Sequence, residues 1–229
     1  MQVANSSKEQ LLIERLRDLD FNKRQDFFKR MAEKGMNPAS LPIVPMPKHP
    51  LNVLSYAQQR QWFLWKLEPH SAVYNLPMVL QLNGKLDMSA LQFSFDDLLV
   101  RHQSLRVVFE EQDGNLMQRT LPASAFLLEF DPLDNPDPLV LCKKITNEIS
   151  KPFDLETGPL LRGKLIQLST EEHVLIVVLH HIVTDDWSMQ VMVEELVARY
   201  SGYANQQPVK LDELAIQYTD YAAWQRQWM

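Results

Sequence analysis

Residues 173–190 read "HVLIVVLHHIVTDDWSMQ", and where this stretch divides into elements decides the fold. "VLIVVL" is an unbroken apolar run, short and β-branched. Such a run bounded by polar residues predicts a strand buried on both faces. The continuation, "DWSMQVMVEELVARYSGYAN", returns its apolar residues at helical spacing. It predicts a helix starting near Trp187, with Thr184 or Asp186 as its N-cap. Between the two elements stand a pair of histidines, His180 and His181, and a pair of aspartates, Asp185 and Asp186.

If the strand persists through both histidines, their side chains alternate and face opposite ways. They then cannot serve one metal ion together. No Cys, His or acidic cluster at ligand spacing accompanies them, so zinc is a poor fit. One histidine can still face a cavity where the strand ends, and there it has the chemistry of a base or hydrogen-bond acceptor near neutral pH. The other reading is a structural histidine closing a strand. The spacing His-x-x-x-Asp does not choose between them. Asp185 has the chemistry to fix the junction through a charge-assisted hydrogen bond to an arginine.

Outward from this junction, helices and strands alternate. The stretch 55–67, "SYAQQRQWFLWKL", predicts a helix capped by Ser55. Its Trp62, Phe63 and Trp65 are expected in the core. Residues 73–84 predict a strand and 87–102 an amphipathic helix. "LRVVFEEQDGNLMQRTL" predicts a hairpin turning at Asp113-Gly114. A helix follows over 137–153, then the strand "PLLRGKLIQLS", and the chain closes on a helix within "IQYTDYAAWQRQWM". Tyr218, Tyr221 and Trp224 form one packing face of that helix. Glu194, Glu195 and Arg199 are expected on a solvated face. Hairpins mixed with alternating helices imply an α/β chain of the α+β kind, a mixed sheet with packed helices.

Before Leu51 the chain differs in character. Residues 7–34 predict two short helices broken near Asp20–Asn22, with Asn5 or Ser7 capping the first and Gly35 stopping the second. Prolines at 38, 42, 45, 47 and 50 then predict an extended, stiff linker. The expected division is a helical lead-in arm and linker over 1–48 and a main region over 49–229.

The 229 residues carry a net charge of −6 and no basic block, which argues against nucleic acid as a partner. The one cysteine, Cys142, rules out an internal disulfide and fits a reduced, cytoplasmic compartment. No signal-peptide pattern opens the chain, and no apolar run approaches the ~18 residues of a membrane span. No Gly-rich phosphate loop is present.

Four stretches together resemble one family. "HHIVTDDWS", 180–188, is similar to the His-His-x-x-x-Asp-Gly signature of condensation domains of nonribosomal peptide synthetases. "LSYAQQRQWFL", 54–64, resembles that family's first motif, and "RHQSLRVVF", 101–109, its second. "YTDYAAW", 218–224, resembles its Tyr-x-Asp-Tyr motif. The four occur in the family's order, and the arm resembles the helical lead-in that often precedes such domains.

The resemblance implies a chloramphenicol-acetyltransferase-like fold, of which this chain would be the N-terminal lobe, with the C-terminal lobe missing and an isolated lobe inactive. It implies peptide-bond formation between substrates brought on phosphopantetheine by donor and acceptor carrier proteins, next to an adenylation domain, with no cofactor or metal bound here. His181 would be the catalytic residue. His180, Asp185, Asp186, Trp187 and Ser188 would support it, and Arg60, Arg101, Arg106, Arg162, Tyr218 and Asp220 would be structural or tunnel residues. Arg60 or Arg162 would pair with Asp185. The departure is Asp186 where the family has glycine, a residue that permits positive φ and close backbone approach. Two other readings stand beside this one: a carrier-protein docking module without turnover, and an epimerisation domain, which shares the signature. Trp187–Ser188 and the arm favour condensation over epimerisation.

Overall fold

The structure, a computed structural model, describes residues 11–45, 53–133, 136–207 and 209–229. The expected caps Asn5 and Ser7 and the expected boundary at 48/49 lie outside them. The chain divides into two compact units. One holds the described residues up to Gln59 together with Glu111–Gln118 and Leu214–Met229. The other holds Arg60–Glu110 and Arg119–Glu213.

The second unit is built on a four-stranded mixed sheet. Its strands are β1 (Asn75–Asn83), β4 (Leu128–Pro132), β5 (Leu161–Gln167) and β6 (Glu172–His180), in the order β1-β6-β5-β4. β6 is antiparallel to both neighbours, pairing Asn75 with His180 on one side and Leu161 with Leu179 on the other. β4 runs parallel to β5. A central position explains the apolar run: every residue from His173 to His180 is buried. Odd positions Leu175, Val177 and Leu179 join a core with Leu91, Phe95 and Leu98 of α4 (Met88–Arg101) and Met192 and Leu196 of α6 (Asp186–Ala204). Phe126 stacks on Phe95 with ring centroids 4.5 Å apart and lies over β5. A Cβ at Gly163 would sit 2.7 Å from Phe126 Cζ, so this strand position needs glycine.

On the other face α5 (Pro138–Ile149) packs against β6 and β1. Asp137 caps it and Pro138 opens it. It ends at Ile149, short of the 153 expected, and carbonyls at and just beyond its end are taken from outside. Asn75 Nδ2 donates to Ile149 O (2.6 Å) and Lys151 O (2.8 Å), and Arg162 donates to Lys151 O (2.7 Å) and Pro152 O (3.2 Å).

In the first unit α1 is described over 11–18 and α2 spans Phe21–Glu33. Asp20 caps α2, and Gly35, at φ 73°, ends it: Gly35 N–H bonds Ala32 O and Met36 N–H bonds Met31 O. The proline-rich stretch that follows is not a free spacer over 36–45. Arg24, buried in α2, donates to Val44 O (3.0 Å) and Pro45 O (3.2 Å) and holds it against the helix. α7 (Tyr218–Trp228) packs on α2, and its aromatic ladder Tyr218–Tyr221–Trp224 has centroids 5.4 and 5.8 Å apart.

α3 spans Tyr56–Leu67. Ser55 Oγ accepts from Gln58 N–H while Gln58 Oε1 accepts from Ser55 N–H, a reciprocal capping box. Trp62 and Trp65 are buried, but Phe63 is 59% exposed, which corrects its expected place in the core: it falls on the outer face of α3. The hairpin β2 (Val107–Gln112) and β3 (Asn115–Thr120) turns at Asp113 and Gly114, both at positive φ.

Two expectations for α6 are overturned. Arg199 is buried and pairs with Asp97 of α4, and Glu195 pairs with Arg101 (3.0 Å) and His102 (2.8 Å). Packing of α6 on α4 turns these charges inward, so they are not a solvated face. Glu194 remains exposed.

Candidate functional site

The site is the β6–α6 junction. β6 ends at His180, so the two histidines do not alternate on one strand. His180 stays on the sheet and is 2% exposed. Its ring lies edge-on to Phe153 and tilted to Tyr74, with centroids 6.1 and 6.2 Å away. Ile182 N–H donates to His180 Nδ1 (3.1 Å), which places the proton of the neutral ring on Nε2. Burial, aided by the charge of His181, pushes His180 down to about 4, so it is neutral at pH 7.

His181 leaves the sheet in a turn and is exposed. Its backbone N–H is anchored to Tyr74 O at 2.9 Å. Its Nδ1 lies 2.7 Å from Thr184 O. A carbonyl only accepts, so Nδ1 carries the hydrogen and the neutral ring presents a bare Nε2 lone pair. This is the geometry of a histidine held ready to take a proton at Nε2.

Asp185 is the N-cap of α6, a role expected of Thr184 or Asp186. Its Oδ1 accepts from Ser188 N–H (2.8 Å) and Ser188 Oγ–H (2.6 Å). The Ser188 hydroxyl, then the Ser188 amide, holds this carboxyl below the usual carboxylate range. Among the described residues no ion pair joins Asp185 to Arg60 or Arg162, which corrects that pairing. Arg162 instead stacks on Phe153 at 3.7 Å and faces Glu148 at 3.6 Å. Burial lowers the Arg162 pKa against the pull of Glu148. Arg60 is exposed on α3. The physical reason is local: Asp185 has two donors three residues ahead in its own helix.

Asp186 is the first residue of α6 and has no positive φ. Aspartate is therefore unstrained there, and its charge faces the positive end of the helix dipole. Trp187, next along, is 75% exposed.

The remaining motif residues act elsewhere. Arg101 Nε and His102 Nε2 hold Glu195, and Arg101 also donates to Asp212 O at 2.5 Å. Burial pushes Glu195 up, but His102 and Arg101 outweigh it and keep the carboxyl low. Arg106 donates to Leu99 O (2.9 Å) and to Leu121 O. In the first unit Tyr218 Oη and Ser55 Oγ are 3.0 Å apart, and Asp220 accepts from Gln217 N–H (2.8 Å) at the start of α7. Sequence reasoning passed over Tyr74, Asn75 and Phe153. The signal for Tyr74 and Asn75 is that "VYNLP" leads into β1, which sets them beside the histidines once the register is known; the sequence marks Phe153 by nothing.

Among the described residues no group of three His, Cys, Asp or Glu side chains is placed to hold a metal ion, and no helix is long and apolar enough to cross a membrane.

Comparison with known proteins places the chain in a family. Malpibaldin synthetase of Mortierella alpina is 44% identical over 179 residues, covering 77% of this chain and 3% of the relative. Chondramide synthase cmdD of Chondromyces crocatus is 38% identical over 193 residues, covering 82% of this chain and 5% of the relative. The chain thus spans a small part of the curated relatives it matches. Among solved structures, the X-domain from teicoplanin biosynthesis superposes with a TM-score of 0.74 at 28% identity, covering 81% of this chain and 40% of that one. The starter condensation domain of rhizomide synthetase RzmA superposes at 0.66 and 22% identity over 72% of this chain and 40% of that one, a likeness of fold. The fold is the chloramphenicol-acetyltransferase-like one of condensation domains. With residues 51–229 matching the description "Condensation domain", the chain belongs to the condensation-domain family of nonribosomal peptide synthetases.

Proposed function

We propose that residues 49–229 are the N-terminal lobe of a condensation domain that joins two carrier-bound aminoacyl or peptidyl thioesters, and that His181 is its catalytic residue. The observation that carries the reading is the bare Nε2 of His181, exposed while Nδ1 is tied to Thr184 O. The acceptor amine attacks the donor thioester carbon. A C–N bond forms, the C–S bond breaks, and the donor pantetheine leaves as thiolate. The amine's surplus proton passes to His181 Nε2 and from there to the departing sulfur. Donor and acceptor carrier proteins deliver both substrates, so the lobe itself binds no cofactor. Positioning the two thioester arms supplies much of the rate, and a base at Nε2 adds about 10²–10⁴-fold. The 40% coverage of solved relatives supports one lobe of two. On this reading the lobe alone does not turn over.

The test supplies the downstream lobe in trans and follows dipeptide on the acceptor carrier protein by mass spectrometry. The wild-type chain makes product and His181→Ala does not. Equal product from His181→Ala, or product from the lobe alone, defeats the reading.

A second reading has its own support. The X-domain from teicoplanin biosynthesis has been seen in complex with OxyB. A lobe with Asp186 in place of the family's glycine would then serve as a docking module. Product only from Asp186→Gly, with carrier protein still bound by the wild-type chain, favours docking.

A further inference from the structure

The ring of His181 is only as steady as the backbone that carries it. β6 ends at His180, and the next bond across to the β1 side is His181 N–H to Tyr74 O at 2.9 Å. His181 then opens the turn in which Val183 N–H bonds His180 O (3.1 Å) and His181 Nδ1 reaches Thr184 O (2.7 Å). Tyr74 itself lies just outside β1, in a turn closed by Asn75 N–H on Ala72 O (3.0 Å). Strand ends of this kind fray at little cost unless something ties them down.

The tie is Asn75. It is the first residue of β1, stands opposite His180 in the register and is 8% exposed. Its Nδ2 donates to both Ile149 O and Lys151 O, at 2.6 and 2.8 Å. Its Oδ1 is buried with no hydrogen-bond partner among the described residues, so the hold runs through the nitrogen. An aspartate of the same shape would set an acceptor against both carbonyls.

The segment that Asn75 grips is fixed without it. Arg162 of β5 donates to Lys151 O (2.7 Å) and Pro152 O (3.2 Å), and Trp65 of α3 donates from Nε1 to Phe153 O (3.0 Å). Residues 151–153 are a post held from two other elements. Loss of the Asn75 amide therefore frees the start of β1 and leaves the post in place.

We propose that Asn75 is a positioning residue for His181. Its amide ties the start of β1 to the segment after α5. The tie holds the Tyr74 carbonyl, and that carbonyl fixes the backbone from which His181 reaches Thr184 O. The consequence for turnover rests on His181 as the proton acceptor, whereas the hold on the ring does not.

The experiment compares ¹⁵N-histidine spectra of the whole chain at a pH where the rings are neutral. Asn75→Leu keeps the bulk and removes both donors, and Asn75→Ala is the second variant. A ring released from Thr184 O shares its proton between its two nitrogens, so the fraction of His181 protonated at Nδ1 falls about twofold in both. Wild type brought by urea to the variants' unfolding free energy keeps its proton on Nδ1. Retention of Nδ1–H in the variants, or the same loss in urea-matched wild type, overturns the proposal. With the downstream lobe in trans, the variants lower kcat about tenfold and leave KM for the acceptor carrier protein unchanged. A tautomer change with kcat untouched upholds Asn75 as the holder of the ring and sinks instead the reading of His181 as proton acceptor.

Discussion

The Nδ1 of His181 sits 2.7 Å from the carbonyl oxygen of Thr184, three residues on, and this one contact selects the tautomer of the ring. The ¹⁵N spectrum of the neutral chain is therefore expected to give His181 a protonated Nδ1 and an unprotonated Nε2. The neighbouring His180 is expected to show the reverse. The two rings differ in tautomer because a carbonyl faces one Nδ1 and an amide N–H faces the other. Identical patterns for both rings would remove the basis for Nε2 as proton acceptor.

His180 makes stability depend on pH. Its folded pKa, about 4, lies below the ordinary 6.5, so the unfolded chain binds a proton that the folded chain refuses. The neutral ring's contribution is complete above pH 6.5 and falls as pH drops to about 4, by a total on the order of 3 kcal/mol. Urea unfolding of wild type at pH 5.5 should take up about one proton more than His180→Gln does. Equal proton uptake in the two would mean that His180 titrates freely.

Asp185 is worth an N-cap. Asp185→Ala removes the acceptor of both Ser188 bonds and is expected to cost about 1–2 kcal/mol in urea unfolding. Asp185→Asn keeps an oxygen at Oδ1 and should lose less. An unchanged midpoint for Asp185→Ala would show that α6 starts without it.

Asp186→Gly should destabilise the chain although glycine is the family's residue. The change introduces glycine into the first turn of α6 and removes a charge at the positive end of the dipole, together about 1 kcal/mol. Thermal unfolding of the two forms decides it, and a more stable glycine variant would show hidden strain at 186.

Much of the fold was legible because the signals were local. Ser55 before α3 and Asp113-Gly114 between β2 and β3 each declare a cap or turn within a few residues. β4 was not legible. Its residues are half exposed at a sheet edge, and its parallel partner β5 comes about thirty residues later. At the site, the His180–Asp185 spacing marked the junction but not its wiring. A carboxylate can find an arginine or its own helix start, and Ser188 decides that only once α6 exists. The inward turn of Glu195 and Arg199 depends on α4 in the same way. Phe63 followed two tryptophans into an expected core, yet one position of helical rotation puts it outside.

β6 is buried on both faces and bonded along both edges, and the histidines hang from its last residue. Amides of such a strand reach solvent through opening of the whole unit, so deuterium should enter residues 174–180 last. The strand end that carries the histidines is therefore expected to hold until the sheet is lost, whereas the exposed turn after it and the first turn of α6 can open locally.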